Sequence, residues 1–158
     1  MTTSLETLRA VADRMSNECP QALALGMVTV ALEADVALLK LPYSLDIVGD
    51  PDTGVIAGGV VTTLLDHASG QAVMAALGEP RPIATLDLRI DYMRAAEPGL
   101  DVHARAHCYR ITRSVAFVRA TAYDRDPDDP VATAQAAFMI NTAGLPPPVD
   151  PVVDEARP

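Results

Sequence analysis

The chain has 158 residues, 49% of them hydrophobic but only 4% aromatic, with no Trp and a formal net charge of −9. That length suits one domain with a real core, and the acidic balance argues against a nucleic-acid partner, which would require a basic surface. No run of roughly eighteen uncharged apolar residues occurs, so no membrane span is expected. Arg9, Asp13 and Arg14 break any leader-like segment near the start, and two lone thiols, Cys19 and Cys108, fit a reducing, cytoplasmic setting while leaving a disulfide open.

Residues 3–17 read as an amphipathic helix: Thr3 and Glu6 have capping-box spacing, and Leu5, Leu8, Val11, Ala12 and Met15 form a stripe that Pro20 ends. Two strands, 25–33 and 36–41, follow, joined by a turn at Ala34-Asp35. Pro42, Gly49, Pro51 and Gly54 punctuate a loop over 43–53. The stretch AGGVVTTLLDHASG then opens a helix predicted over about 58–77, apolar on most faces and therefore buried. Thr62, Thr63, Asp66, Ser69 and Gly70 share one face of it. A carboxylate in such a setting has either a structural partner or a chemical task, and the residues alone leave the two evenly matched.

Strands are predicted over 83–94, 100–111, 114–124 and 131–141, the first with Leu86, Leu88, Ile90 and Tyr92 on one face and Asp87, Arg89 and Asp91 on the other. Their close succession reads as a four-stranded antiparallel meander. Residues 1–142 form the expected single domain, and 143–158, rich in Pro and acid, the expected disordered tail. The sum is an α+β fold: an antiparallel six-stranded sheet curled around one central helix, with an extra N-terminal helix.

The stretches VGDPDTGVIAGGVVTTLLD, ATLDLRIDYMRAAEPG and YRITRSVAFVRATAYD resemble, in the same order, the hotdog-fold acyl-CoA thioesterases of the phenylacetic-acid-pathway (PaaI-like) group. The resemblance implies metal-free hydrolysis of acyl-CoA thioesters, with no cofactor beyond the CoA of the substrate. It places the nucleophile or general base on Asp66, the oxyanion donor on the backbone N–H of Gly58, and a water-positioning hydroxyl on Thr85. It also implies a homodimer, extended to a dimer of dimers. This chain departs from the group in carrying Ala57 where a His usually precedes the glycine pair, and Asp50 where an upstream Asn is common. An ionised Asp at that place cannot donate a hydrogen bond to the substrate or the water.

The residues themselves support part of this chemistry. Thioester hydrolysis passes through an oxyanion that requires preorganised N–H donors, and Gly58 and Gly59 at a helix start offer them, with the helix dipole behind. The alternative is that the glycines only let the helix start pack closely. Gly58 and Asp66 stand eight positions apart, about 12 Å along a helix axis, whereas reacting atoms must come within about 3–3.5 Å. If both act on one carbonyl, they come from different copies of the chain, as in a two-fold dimer.

By strict alternation Thr85 lies on the Asp87 face and reaches the site only across a subunit boundary or after a bulge. His67 points about 100° from Asp66 and reads as packing or an interface hydrogen bond. His103, His107 and Cys108 lack a third ligand or a base-and-orienter arrangement, so neither a metal site nor a thiol nucleophile is expected. For the phosphates of CoA, Arg110, Arg113 and Ser114 at the predicted turn are the candidates, with Arg94 and Arg89 as alternatives and solvated surface arginine as the competing reading. Val73, Met74 and Leu77 are the expected lining of the acyl pocket. Two other functions stay open on the sequence: a non-catalytic acyl-CoA or acyl-carrier binding protein of the same fold, and a dehydratase or hydratase of that fold, which the absence of a His at the helix start disfavours.

Overall fold

A computed structural model describes residues 5–79 and 81–140. Thr3, and with it the proposed capping box, and the tail from 143 onward lie outside the described residues. The elements in order are α1 (Leu5–Glu18), α2 (Pro20–Ala24), β1 (Val28–Leu32), β2 (Val36–Leu41), a 3₁₀ turn (Leu45–Ile47), β3 (Val48–Asp50), β4 (Val55–Ile56), α3 (Gly58–Leu77), β5 (Ala84–Tyr92), β6 (Val102–Ile111), β7 (Val115–Tyr123) and β8 (Ala132–Met139). This is the expected α+β architecture, with a six-stranded antiparallel sheet against one long helix. None of the helices described is long and apolar enough to cross a membrane.

Three local expectations are corrected. Pro20 starts a second short helix rather than only stopping the first, because proline suits the first helical turn, where no backbone N–H is needed; β1 is accordingly shorter than 25–33. The segment 43–53 is not a plain loop, since β3 pairs with β4 as a small hairpin. The four late strands are not one meander either. The sheet order is β1-β2-β6-β7-β8-β5, so β6, β7 and β8 form the meander while β5 pairs with β8 alone and lies at the sheet edge. The connection 93–101 is no tight turn: Met93 and Arg94 donate to the Val131 carbonyl and Glu97 donates to Asp124, which carries the chain across the ends of β8 and β7 before β6 begins.

The inner face of the sheet is paved with small side chains, among them Ala104, Ala106, Ala116, Ala120, Ala132 and Ala134, all buried. They let α3 settle close, with Val61, Leu64, Leu65, Ala68, Ala72 and Val73 facing the strands at 0–2% exposure. The buried Gln71 bonds Ser16 of α1 and Thr29 of β1, at 3.1 and 3.0 Å, so a polar knot pins the N-terminal helix onto the central one. α3 ends at Gly78, whose φ of 70° provides the left-handed cap.

Gly49, packed against the helix start, and Gly70, inside the helix, make opposite demands. A Cβ at Gly49 would lie 2.8 Å from the Cα of Ala57, while one at Gly70 meets only side-chain carbons at 3.6 Å or more. Gly49→Ala is expected to lose about 1–3 kcal/mol by overpacking the hairpin against the helix start. Gly70→Ala should gain about 0.5–1 kcal/mol by removing helix-interior glycine entropy. Urea unfolding of both variants checks the pair.

Candidate active site

Strand β5 meets helix α3 at two places. At the strand's start, the Thr85 hydroxyl donates to Asp66 Oδ1 at 2.9 Å. The contact exists because the β5–β8 register shifts between Thr85 and Asp87, leaving Leu86 as the extra residue of a bulge. Thr85 then stands opposite Phe138, whose ring is buried on the inner face of the sheet, and not on the Asp87 face that strict alternation requires. Asp66 is half-buried at the edge of the apolar helix, with one carboxylate oxygen held by this hydroxyl. The expectation of a deeply buried acid is corrected to that extent: β5 is an edge strand and leaves this flank of the helix open.

At the other end of β5, the Tyr92 hydroxyl donates to the Gly58 carbonyl at 2.6 Å and lies 2.8 Å from the Thr62 hydroxyl, which itself reaches that carbonyl at 3.2 Å. Ala57 is the N-cap, extended (φ −60°, ψ 131°) and without a side-chain cap bond. The N–H groups of Gly58 and Gly59 belong to the first helical turn, which has no preceding carbonyls to bond, and both glycines are exposed. A cavity of about 330 Å³ opens beside Gly58, walled by Ile56, Val61, Tyr92, Met93, Ala96 and Val131. It joins uncapped donors to an apolar recess. Tyr92 is the functional candidate that residue types alone did not single out; its place at the end of the ATLDLRIDY strand was visible, but its contact with the helix start depends on how the strand crosses α3.

The other candidates divide. Asp50 turns back on its own hairpin, accepting from Asp52 N–H and the Thr53 hydroxyl; those bonds hold its carboxyl below the usual value. The hairpin rests on the helix start, where Ala57 N–H donates to the Ile47 carbonyl, so Asp50 sits nearer the glycines than the acid. Val73 is fully buried core, not the wall of an open pocket; the recess is at the opposite end of α3.

Arg94 is not free to meet phosphate. Its guanidinium makes a bidentate pair with Asp124, at 2.8 and 2.7 Å, and a further pair with Asp129 at 3.0 Å. Arg89 pairs with Asp91 at 3.0 Å. Arg110 and Arg113 are exposed and pair with no carboxylate among the described residues. Ser114, in the same β6–β7 turn, accepts Ile140 N–H through its carbonyl. The register Val115–Met139–Ala84 puts that turn at the Thr85 end of the sheet.

Burial pushes the His67 imidazole below its usual value, against the charge of Asp66, and pushes the Cys108 thiol up. A thiol held protonated in this way is a poor nucleophile. No group of three or more His, Cys, Asp or Glu among the described residues could hold a metal ion.

Residues 53–131 match the Thioesterase superfamily. A Halobacterium salinarum protein provisionally described as an esterase is 32% identical over 109 residues, which is 65% of this chain and 72% of the relative. A Pseudomonas aeruginosa protein of known structure is 42% identical, with a TM-score of 0.77 over 84% of this chain and 98% of its own. The phenylacetic acid degradation protein PaaI of Thermus thermophilus is 25% identical, with a TM-score of 0.68 over 77% of this chain and 99% of its own.

The Arg94–Asp124 pair has a pH signature. Asp124, 2% exposed at its side chain, is held far below the usual carboxylate range by the Arg94 guanidinium first, and by backbone N–H donors of Glu97 and Arg125 next. A carboxylate with a lowered folded-state pKa contributes stability that is complete above its unfolded value, about 4, and is lost as pH falls below it. Asp124→Asn should lower stability at pH 7 by about 1–2 kcal/mol, since it breaks the bidentate pair and leaves the guanidinium to the exposed Asp129. The thermal midpoint of the variant should also fall less steeply than that of the parent below pH 4, as melts across pH 3–7 would record.

Proposed function

Because this chain belongs to the thioesterase superfamily, as a PaaI-like hotdog protein, we propose that it hydrolyses acyl-CoA thioesters to the free acid and CoA. The observation that carries the reading is the Thr85–Asp66 bond at 2.9 Å, which orients a half-buried carboxylate on the open flank of a helix whose first N–H donors are uncapped. In this reaction Asp66 takes a proton from water as the water oxygen adds to the thioester carbonyl, or attacks the carbonyl itself. The oxyanion is held by the Gly58 and Gly59 N–H groups. Collapse of the adduct breaks the C–S bond, and the departing thiolate takes up a proton; where Asp66 itself has attacked, water then cleaves the Asp66–acyl anhydride, releasing the acid and restoring the carboxylate. The chemistry draws on no metal or further cofactor.

Donor and acid stand about 12 Å apart on one helix, so the complete site is formed by two protomers. The edge position of β5 supports this arrangement, as do the exposed Leu86, Tyr92 and Met93, at 51%, 49% and 57%. An edge strand with open backbone groups is a template for pairing with another chain. Two-fold antiparallel pairing of β5 about Leu88 sets Asp87 opposite the partner's Arg89, and brings the Thr85 end of one strand beside the Tyr92 end of the other. The acid of one protomer then approaches the helix start of its mate, and the isologous contact makes two equal sites. Arg110, Arg113 and Ser114 are the proposed contacts for the phosphates of CoA, through guanidinium forks and turn donors. Arg94 has no part in this role. The recess beside Gly58 is apolar and takes the acyl group.

Thiol release from a panel of acyl-CoAs, followed with a thiol reagent, tests the activity. Asp66→Asn should lower kcat by about a hundredfold or more while leaving the fold intact; tight binding of acyl-CoA without thiol release by the unaltered protein would instead establish a binding protein. Gly58→Pro removes one donor at a position where proline is accepted, after a residue already extended. Each variant alone should be inactive. Unfolding and refolding the two together should restore about a quarter of the activity, since half the dimers carry one intact site. No recovery would show that the two groups act within one chain.

A further inference from the structure

Resting on the hydrolysis reading, the geometry of the helix start points to one residue beyond it: we propose that Tyr92 is a positioning residue of the oxyanion site. Its hydroxyl donates to the Gly58 carbonyl at 2.6 Å, the shortest of the three contacts in that cluster, with Thr62 Oγ1 at 2.8 Å from the Tyr92 oxygen and 3.2 Å from the carbonyl. The carbonyl of Gly58 and the N–H of Gly59 belong to one planar peptide unit. A donor on the oxygen therefore does two things to the N–H on the other side. It fixes the plane, in a dipeptide that without side chains has more rotational freedom than any other, and it draws electron density toward the oxygen, which makes the N–H a stronger donor. The Thr62 hydroxyl has one proton to place, on the phenol oxygen at 2.8 Å or on the carbonyl at 3.2 Å, and either bond tightens the cluster.

Space at the site fits this assignment. A Cβ built on Gly58 would lie 3.6 Å from the Tyr92 hydroxyl, so the phenol already stands against the glycine, and one on Gly59 meets nothing within 4 Å, so no other element crowds the second, exposed glycine. Tyr92 also walls the recess beside Gly58. Its side chain thus borders the place of the acyl group with its ring and acts on the donor peptide with its hydroxyl. No cap from Ala57 does the same task from the other side.

Tyr92→Phe keeps the ring and deletes the hydroxyl. The expected result is a fall in kcat of about three- to tenfold, smaller than the loss of a whole oxyanion donor, with KM close to the parent's and the thermal midpoint lowered by no more than the roughly 2–4 °C that one lost hydrogen bond costs. In the ¹H–¹⁵N spectrum the Gly59 amide proton should move upfield, a change that a purely structural hydroxyl some distance away would not cause. Thr62→Val should move the same resonance in the same direction by less. An unchanged kcat in Tyr92→Phe, or a kcat loss that comes with a lowered thermal midpoint and an unmoved Gly59 resonance, overturns the proposal. Failure of the hydrolysis reading looks different: Asp66→Asn would keep full turnover, or no acyl-CoA would release thiol, while the Gly59 shift still reported on the peptide.

Discussion

The two ties between β5 and α3 are what the rest of this structure depends on. A long helix that is apolar on most sides can be buried against a sheet in several rotational settings, all similar in hydrophobic terms, because burial is non-directional. Hydrogen bonds are directional. Thr85 on Asp66 and Tyr92 on Gly58 lock the edge strand to the helix at two points more than two turns apart, and each point is occupied by a group capable of chemistry. The rotation that buries Leu64, Leu65, Ala68 and Ala72 is therefore the rotation that presents the acid and the uncapped donors along the open edge.

That edge position follows from how the chain leaves β5. Had β6 paired with β5, the flank carrying Asp66 would be covered by sheet. The connection 93–101 prevents this by crossing the ends of β8 and β7, held there by Arg94 and by the N–H of Glu97 on Asp124. An arginine that by residue type suits phosphate is instead the fastening of a crossover. In a chain of net charge −9, nearby carboxylates are abundant, and an arginine beside an acidic turn is more easily neutralised internally than kept for a ligand. Arg110 and Arg113, on a turn whose near neighbours are Thr, Ser and Val, escape that fate.

The legible parts of the sequence were those with strong periodicity or unambiguous punctuation. The central helix was bounded by Gly-Gly and Gly78, and its predicted span of 58–77 matches Gly58–Leu77. The six strands were legible as elements because apolar and polar residues alternate along them. Their order was not, because pairing between β5 and β8 depends on the path of 93–101, whose residues carry no register information of their own. The bulge at Leu86 was equally hidden. A bulge inserts one residue without changing composition, and it moves every side chain on one side of it to the other face. Thr85 was therefore a candidate by likeness to a family while alternation placed it on the wrong face; the register of β5 on β8 resolves the conflict within one chain.

The absence of a side-chain cap at Ala57 brings the same physics to the site itself. A capping side chain satisfies one of the first N–H groups of a helix and in doing so removes a donor from use. With Ala57 at the cap, that satisfaction must come from elsewhere, and the helix start keeps its donors for whatever enters the recess. Both glycines are exposed, so water satisfies these donors until an oxygen with negative character displaces it, with the helix dipole behind the exchange. Positional control of that peptide comes from the carbonyl side, where a side chain reaches it without occupying an N–H. Tyr92 and Thr62 are the groups that reach that carbonyl. A helix start that forgoes its cap, and is instead gripped from behind by a tyrosine on the adjoining edge strand, has the features that the proposed hydrolysis asks of a site for an anion that forms and disappears within each turnover.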